Sequence, residues 1–409
     1  MMNSKSQAGV TLIELMIALS LSTFLILGLV QVFSASRLAY QSTTALARVQ
    51  EGSRFATDFL QRDIRMAGHM GCSNDRARNA RQPNAFLDSF FLSNAERDAG
   101  TFSGAAFPLR FDIPIQGYEA TGTGRGGAVN VSAPAAGWLP ALDASLTGAN
   151  GLSPVPRAGS DLLVVRMLSG DAAPVLTDVR PALAQPGTIT IAAASAGLVT
   201  AGGFYGLASC ERAAVFQARS APAGGTFSIA NSGSNRSIGF STSQGGGGPP
   251  ISDFTANTTQ LYRADSYVYY VAIGAGGVPS LYRARFMGQS GGAGAWGVSE
   301  ELVEGVDSMQ LFYGLDTDRN GAIENYVRAD QVAAGVTAYN EVADRWRAVA
   351  AVELGLVLRS PERSATPDRA VASGAVTVVG VRVDSAANES VLRRPYETTI
   401  ALRNRLFGN

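Results

Sequence analysis

Lys5-Ser-Gln-Ala-Gly9-Val10-Thr-Leu-Ile-Glu14-Leu-Met-Ile-Ala-Leu19 is the stretch that decides how this chain is built. A short polar leader ends in glycine, and an apolar run starts at once, broken by a single carboxylate, Glu14. From Leu15 to Ser36 no charged residue occurs, and Arg37 closes the run. A helix of that length can cross a hydrocarbon layer of about 30 Å. A carboxylate at the edge of such a run is costly without a partner, which makes Glu14 a functional candidate. The expectation is a chain inserted in a membrane by its N-terminus.

Three arrangements use such a run. An ordinary secretory signal is cut after the apolar segment, and Ser34-Ala-Ser36 supplies small residues for that cut. A plain anchor uses the length and leaves Glu14 unexplained. The third is a prepilin signal, in which the cut precedes the apolar run, and Gly9-Val10-Thr-Leu-Ile-Glu14-Leu resembles it closely. That resemblance implies cleavage after Gly9, methylation of the new N-terminus at Val10, and a role for Glu14 in assembly. The free amine at Val10 of a neighbouring subunit is the natural partner for the Glu14 carboxylate, setting axial register while apolar packing supplies most of the attraction. Val10 departs from the usual phenylalanine at the first mature position.

The 409 residues carry a formal net charge of +0, so no overall basic field points to nucleic acid. Forty-six glycines, with many Ser, Ala and Thr, suit β-structure with long loops better than a helical bundle. Cys72 and Cys210 are the only cysteines, and in an exported domain an even pair reads as a disulfide. With His69 as the single histidine, a zinc site of ordinary ligand count is excluded in practice.

Beyond Arg37 the helical pattern continues. Leu38, Ala45, Leu46, Val49, Ala56, Phe59, Leu60, Ile64 and Ala67 form an apolar stripe with arginines, glutamines and Asp58 between them, and no proline occurs before Pro83. Gly68 and Gly71 read as terminators. The expected organisation is a leader over 1–9, a membrane or fibre-core half-helix over 10–36, an amphipathic half-helix over 37–67, and a β-rich head over 68–409. From Cys72 to about Pro156 the pattern is weak. Strand signals then recur at 161–168, 188–192, 213–218, 308–313, 348–358, 375–379 and 396–402. Tyr267–Ile273 and Pro279–Arg285 read as a hairpin around Gly-Ala-Gly-Gly. A glycine-rich loop spans about 232–250. Helices do not alternate with these strands, so the fold class is α+β with a large antiparallel sheet.

Scattered marks extend the resemblance over most of the chain. Arg65-Met-Ala-Gly68 before Gly71-Cys72, Ser209-Cys210 before Ala214-Val-Phe-Gln217, Phe312-Tyr-Gly-Leu-Asp316-Thr-Asp, and the ending Thr398-Thr-Ile-Ala-Leu-Arg-Asn-Arg405 together resemble the PilW type of minor pilin. The resemblance implies a pilin fold and a part in assembly of type IV pili, supporting biogenesis and twitching motility. The large head suggests a tip or initiation role, because it fits a fibre end more easily than every fibre position. The resemblance also implies other minor pilins, the major pilin, a prepilin peptidase and the inner-membrane assembly platform as partners. The implied location is the bacterial inner membrane with a periplasmic head, then the fibre at the cell surface. A type II secretion pseudopilin shares the same leader, and an adhesive module at the pilus tip is an alternative of another class.

Asp316-Thr-Asp318-Arg-Asn320-Gly321-Ala322-Ile-Glu324 places acidic and amide side chains at alternate positions before a glycine turn, the first half of a calcium loop. Asp316, Asp318 and Asn320 would ligate through side chains, Ala322 through its carbonyl, and Glu324 directly or through water. The bidentate glutamate of a complete EF-hand would fall at Val327, and an Asp/Asn/Gly turn between strands needs no metal. Gly122-Thr-Gly124-Arg-Gly-Gly127 matches a dinucleotide fingerprint in letters only, because neither a convincing strand precedes it nor a helix follows. Arg76, Arg78 and Arg81 form a small basic group that reads as solvated loop. No nucleophile motif or phosphate loop is present, so no enzyme is expected.

Overall fold

The computed structural model describes residues 9–405 apart from 73–86, 100, 149, 180–186, 211, 239–253, 291, 293, 319, 361–374 and 386–390. The leader up to Ala8, the Arg76, Arg78 and Arg81 group, and most of the glycine-rich loop lie outside these residues. One helix, α1, runs from Leu12 to Met66, 55 residues, which is about 80 Å. Thr11 starts it as an N-cap in the extended region. Ala67 leaves helical geometry, and Gly68 then takes φ +72°, a left-handed turn that L side chains rarely adopt.

Among the described residues the head carries two main sheets. The larger has ten strands, with the path Leu87–Ser89, Ala213–Gln217, Phe204–Ala208, Gln260–Ile273, Leu162–Pro174, Ile115–Ala120 and Trp138–Leu139. Pro279–Met287 joins it as the second arm of a hairpin with Gln260–Ile273, and Glu300–Glu304 pairs on the far side of that arm. The second sheet orders Asn325–Val327, Val306–Leu315, Val349–Arg359 and Arg393–Ala401. A three-stranded sheet (Val376–Val378, Val381–Asp384, Ala128–Asn130) covers its outer face.

Strand periodicity explains where the core sits. Along Leu162–Pro174, Leu163, Val165 and Met167 face one cluster while Leu162, Val164 and Leu168 face another. Tyr267, Tyr269 and Val271 alternate with Val268, Tyr270 and Ala272 in the same way. From the second sheet Met309, Leu311, Val352, Leu354 and Ile400 enter the first of these clusters, and Val49, Ala56, Leu60 and Ile64 of α1, with Ala67 just past its end, complete it. The C-terminal half of the helix therefore fills the angle between two sheets.

The α+β class stands, with a correction to the pairing: the head is mixed rather than wholly antiparallel. Leu87–Ser89 pairs in parallel with Ala213–Gln217, and Val381–Asp384 with Ala128–Asn130. Both pairs join segments far apart in sequence, where no hairpin dictates the antiparallel sense. The weakly patterned region before Pro156 is not peripheral either. Ile115–Ala120 is buried at five of its six positions, so it shows no apolar/polar alternation to read.

Candidate functional site

Glu14 sits in the first turn of α1, and its Oε2 accepts hydrogen bonds from the Thr11 amide (3.0 Å) and the Thr11 hydroxyl (2.8 Å). The Glu14 amide donates back to Thr11 Oγ1 at 3.4 Å. This is a reciprocal capping box, and Thr-x-x-Glu in the sequence is its signature. Among the described residues no other group is bonded to the Glu14 carboxylate. Gly9 and Val10 precede the helix and are exposed. From Val10 to Arg37 every residue is exposed, including Leu12, Ile13, Phe24, Leu25 and Phe33. That segment is long and apolar enough to cross a membrane, and no part of the apolar window is buried by the protein.

The distal half of α1 behaves differently. Asp63 lies on the buried stripe, where the Tyr269 hydroxyl donates to its Oδ2, Arg62 donates to Oδ1 at 3.0 Å, and Arg283 approaches at 3.4 Å. Arg283 also pairs with Glu300 at 2.8 Å and lies 4.9 Å from the Tyr267 ring centroid. A charged network thus pins the helix across the hairpin. Sequence reading passes over it, because Asp63 shows only as a polar interruption in an apolar stripe and its partners are some 200 residues away.

Just beyond α1, Cys72 is joined to Cys210, with their Cα atoms 4.5 Å apart at a sequence separation of 138. Gly71 is what permits the approach. Its φ is +71°, and a Cβ there would lie 2.6 Å from the Ala208 Cβ.

The Asp316 loop leaves the end of Val306–Leu315 and returns into Asn325–Val327. The structure brings ligand oxygens of Asp316, Asp318 and Glu324 within 4.8 Å of one another. Asp316 is buried, and it accepts from the amides of Asn320 and Gly321, both at 3.1 Å. Glu324 accepts from the Thr317 amide at 3.1 Å, and that bond holds its carboxyl below the usual carboxylate range. Asn320 is arranged otherwise. Its Oδ1 accepts from the Ala322 amide at 2.7 Å and its Nδ2 donates to Asp318 Oδ2 at 2.8 Å. The loop is a converging set of hard oxygen donors, suited to a cation of the calcium type. Gly122–Gly127, by contrast, is a turn between Ile115–Ala120 and Ala128–Asn130, with no helix after it.

The family model for type IV pilus-assembly protein W matches residues 268–404, and that for the prokaryotic N-terminal methylation motif matches residues 4–30. Together the two matches are consistent with a PilW-type pilin. No curated protein and no solved structure gives a significant match. The methylation motif is what distinguishes a prepilin start from an ordinary secretory signal. The PilW-type region holds the hairpin, the second sheet and the Asp316 loop. It is not a detachable unit, since Tyr267–Tyr269 pairs directly with Leu163–Val165 of the preceding half. The two family matches support a type IV pilus-associated minor pilin, and the apolar N-terminal helix with its methylation motif fits a membrane-anchored one. The PilW family itself is a structural pilus component rather than an enzyme family.

Proposed function

We propose that this PilW-type pilin acts in the initiation and assembly of type IV pili from a place near the fibre tip, supporting pilus biogenesis and twitching motility. The observation that carries this reading is the asymmetry of α1: an unburied apolar half headed by Glu14, continuous with a half locked into a large head. Cleavage after Gly9 and methylation at Val10 leave an amine at the mature N-terminus. The Glu14 carboxylate of an incoming subunit then exchanges its Thr11 bonds for that amine on a neighbour. A head spanning 68–409 is accommodated at a fibre end more easily than at every position along it. The chain waits in the bacterial inner membrane with its head in the periplasm, processed by the prepilin peptidase and handed to the assembly platform with other minor pilins and the major pilin.

Affinity purification of the detergent-solubilised full chain tests this. Recovery of other minor pilins, with loss of surface pili on deletion of the gene, is the expected result. Recovery of a secretin-linked secretion complex in their place would reassign the chain as a pseudopilin. Normal pili with loss only of surface attachment would make it an adhesive module. A second reading rests on the three converging carboxylates: Asp316, Asp318 and Glu324 hold calcium, with Asn320 and the Ala322 carbonyl completing the shell after a small rearrangement of the loop.

A further inference from the structure

Two carboxylates outside every site above meet at the seam between the main sheets. Asp161 precedes Leu162–Pro174 and is 2 % exposed, and Glu119 of Ile115–Ala120 is 1 % exposed. Asp161 spans the seam: Oδ1 accepts from the Ala120 amide at 2.7 Å, and Oδ2 from the Leu311 amide of the second sheet at 2.8 Å. The Thr123 hydroxyl lies 3.1 Å from Glu119 Oε1 and 3.4 Å from Asp161 Oδ1. A single hydroxyl proton cannot serve both, and it is also shared with the Ala120 carbonyl at 2.7 Å. Among the described residues, Glu119 Oε2 and the fully buried Tyr313 hydroxyl have no hydrogen-bond partner. Two carboxylates are thus enclosed together with one proton too few for their acceptors.

The other charged groups facing the pair do not balance it. Arg328, near Glu119, is ion-paired at 3.0 Å with Asp330, which adds a negative charge of its own. Tyr313 comes from the second sheet and is neutral, its hydroxyl pushed up by burial and then by Asp161 and Glu119. Buried like charges of this kind cannot both ionise without a large cost.

We propose that the Glu119–Asp161 pair binds one proton in the folded head, and that this proton is a latch holding the two sheets together. Burial is the main cause that pushes the Glu119 carboxyl up to about 7, and burial with the Glu119 charge raises Asp161 well above the ordinary range. The pair titrates as a unit, so the loosely bonded Glu119 carries the proton and Asp161, with two amide donors, keeps the charge. Because the folded seam keeps a proton that the unfolded chain releases near the ordinary value of 4.5, the contribution is complete below about 4.5. It is lost as pH rises towards about 7, and it is flat above that. A slightly acidic exterior tightens the joint, and a neutral or alkaline one loosens it.

The test is urea unfolding of the full chain in detergent micelles at several pH values between 4.5 and 8.5, for wild type and for Glu119→Gln. The amide has the shape of the protonated acid and cannot lose a proton. The wild-type folding constant, divided by that of the variant, is expected to fall about tenfold per pH unit up to the folded midpoint and then level off. Hydrogen exchange at the Ala120 and Leu311 amides, corrected for intrinsic rate, should follow the same profile in wild type and be flat in the variant. Thr123→Val, which removes one bond to the ionised form, should move the midpoint upward. Parallel profiles for wild type and Glu119→Gln would overturn the latch. So would a seam whose protection at pH 8 depends on added sodium, potassium or calcium, which would make the missing charge a metal ion.

Discussion

Glu14 and Asp63 are two carboxylates on one helix, and their surroundings are opposite. Asp63 is buried, with a tyrosine hydroxyl and two arginines converging on it from the helix and the hairpin. Glu14 is exposed and is served only by Thr11, three residues before it. The apolar residues around them divide in the same way, since Ala56, Leu60 and Ile64 lie against two sheets while Leu15 to Phe33 lie against nothing in the chain. Isolated helices gain little from propensity alone and most of their stability from packing. The distal half has its packing within the subunit. The proximal half has none within the subunit, and on the proposed reading lipid or other subunits supply it, together with a partner for Glu14. If the proposed assembly role holds, fold and assembly lie on separate halves of α1, and substitutions should separate them.

The largest effect on the folded head is expected from the bridge that fixes the end of the packed half. Closing a loop of 138 residues stabilises by about 5 kcal/mol on a chain-entropy basis. Cys72→Ser with Cys210→Ser should lower the unfolding free energy of the full chain by about 3–5 kcal/mol in urea titrations, while membrane fractionation is unchanged. A double variant as stable as wild type would mean that the packed half does not depend on the bridge. Asp63→Ala comes next. It leaves Arg283 and the Tyr269 hydroxyl facing a void, and removal of one partner from a buried ion pair typically costs about 3 kcal/mol or more. Asp58→Ala on the exposed face of the same turns serves as the control, with a change of no more than about 0.5 kcal/mol.

The legibility of the chain follows the same division. The proximal half could be read from sequence because its signals are local: a glycine, an apolar run of membrane length, and a carboxylate at a fixed offset. The capping box of Thr11 and Glu14 went unread, although Thr-Leu-Ile-Glu is its local signature. The apolar stripe from Ala45 to Ala67 announced the packed half, and the hairpin around Gly274–Gly277 announced itself through its turn. What stayed hidden is long-range. Nothing at Asp63 points to Tyr269 and Arg283, nothing at Asp161 points to Leu311, and the parallel pairing of Leu87–Ser89 with Ala213–Gln217 has no local mark. The Asp316 loop stands between these cases. Its alternating acids are local, whereas the inward turn of Glu324 onto the Thr317 amide appears only in three dimensions.

A smaller effect is expected at that loop. If Asp316, Asp318 and Glu324 bind calcium, the ion stabilises the head by mass action, about 1.4 kcal/mol at ten times its dissociation constant. The full chain in micelles should melt higher in millimolar calcium than in chelator, and Asp318→Ala should remove the difference while leaving the melt in chelator nearly unchanged. Equal melting temperatures for wild type in the two buffers would leave the loop as a turn held by its own hydrogen bonds. Either outcome leaves α1 untouched, because the loop lies beyond the strand ends of the second sheet.

The smallest effect on the fold, and the sharpest test of the contrast, belongs to Glu14. Glu14→Leu removes a carboxylate that is costly at the edge of an apolar phase, so membrane insertion should persist or improve. It also removes one side of the Thr11 capping box, a loss confined to the first turn and worth about 1 kcal/mol at most. Unfolding of the head, some 30 residues away from any part of that turn, should be the same as in wild type within about 0.5 kcal/mol. If Glu14 exists only to cap its own helix, pilus yield should follow the modest loss of the cap. If it exchanges Thr11 for the Val10 amine of a neighbour, the variant should accumulate normally in the membrane yet enter fibres poorly. Thr11→Val separates the two roles, because it breaks the cap and leaves the carboxylate free for the neighbour. The measurement is membrane abundance beside sheared-pilus yield for Glu14→Leu, Thr11→Val and wild type in one strain. Assembly lost only with Glu14→Leu assigns the carboxylate to the fibre. Equal losses in both variants would confine Glu14 to its own helix, and the two halves of α1 would then differ in packing alone.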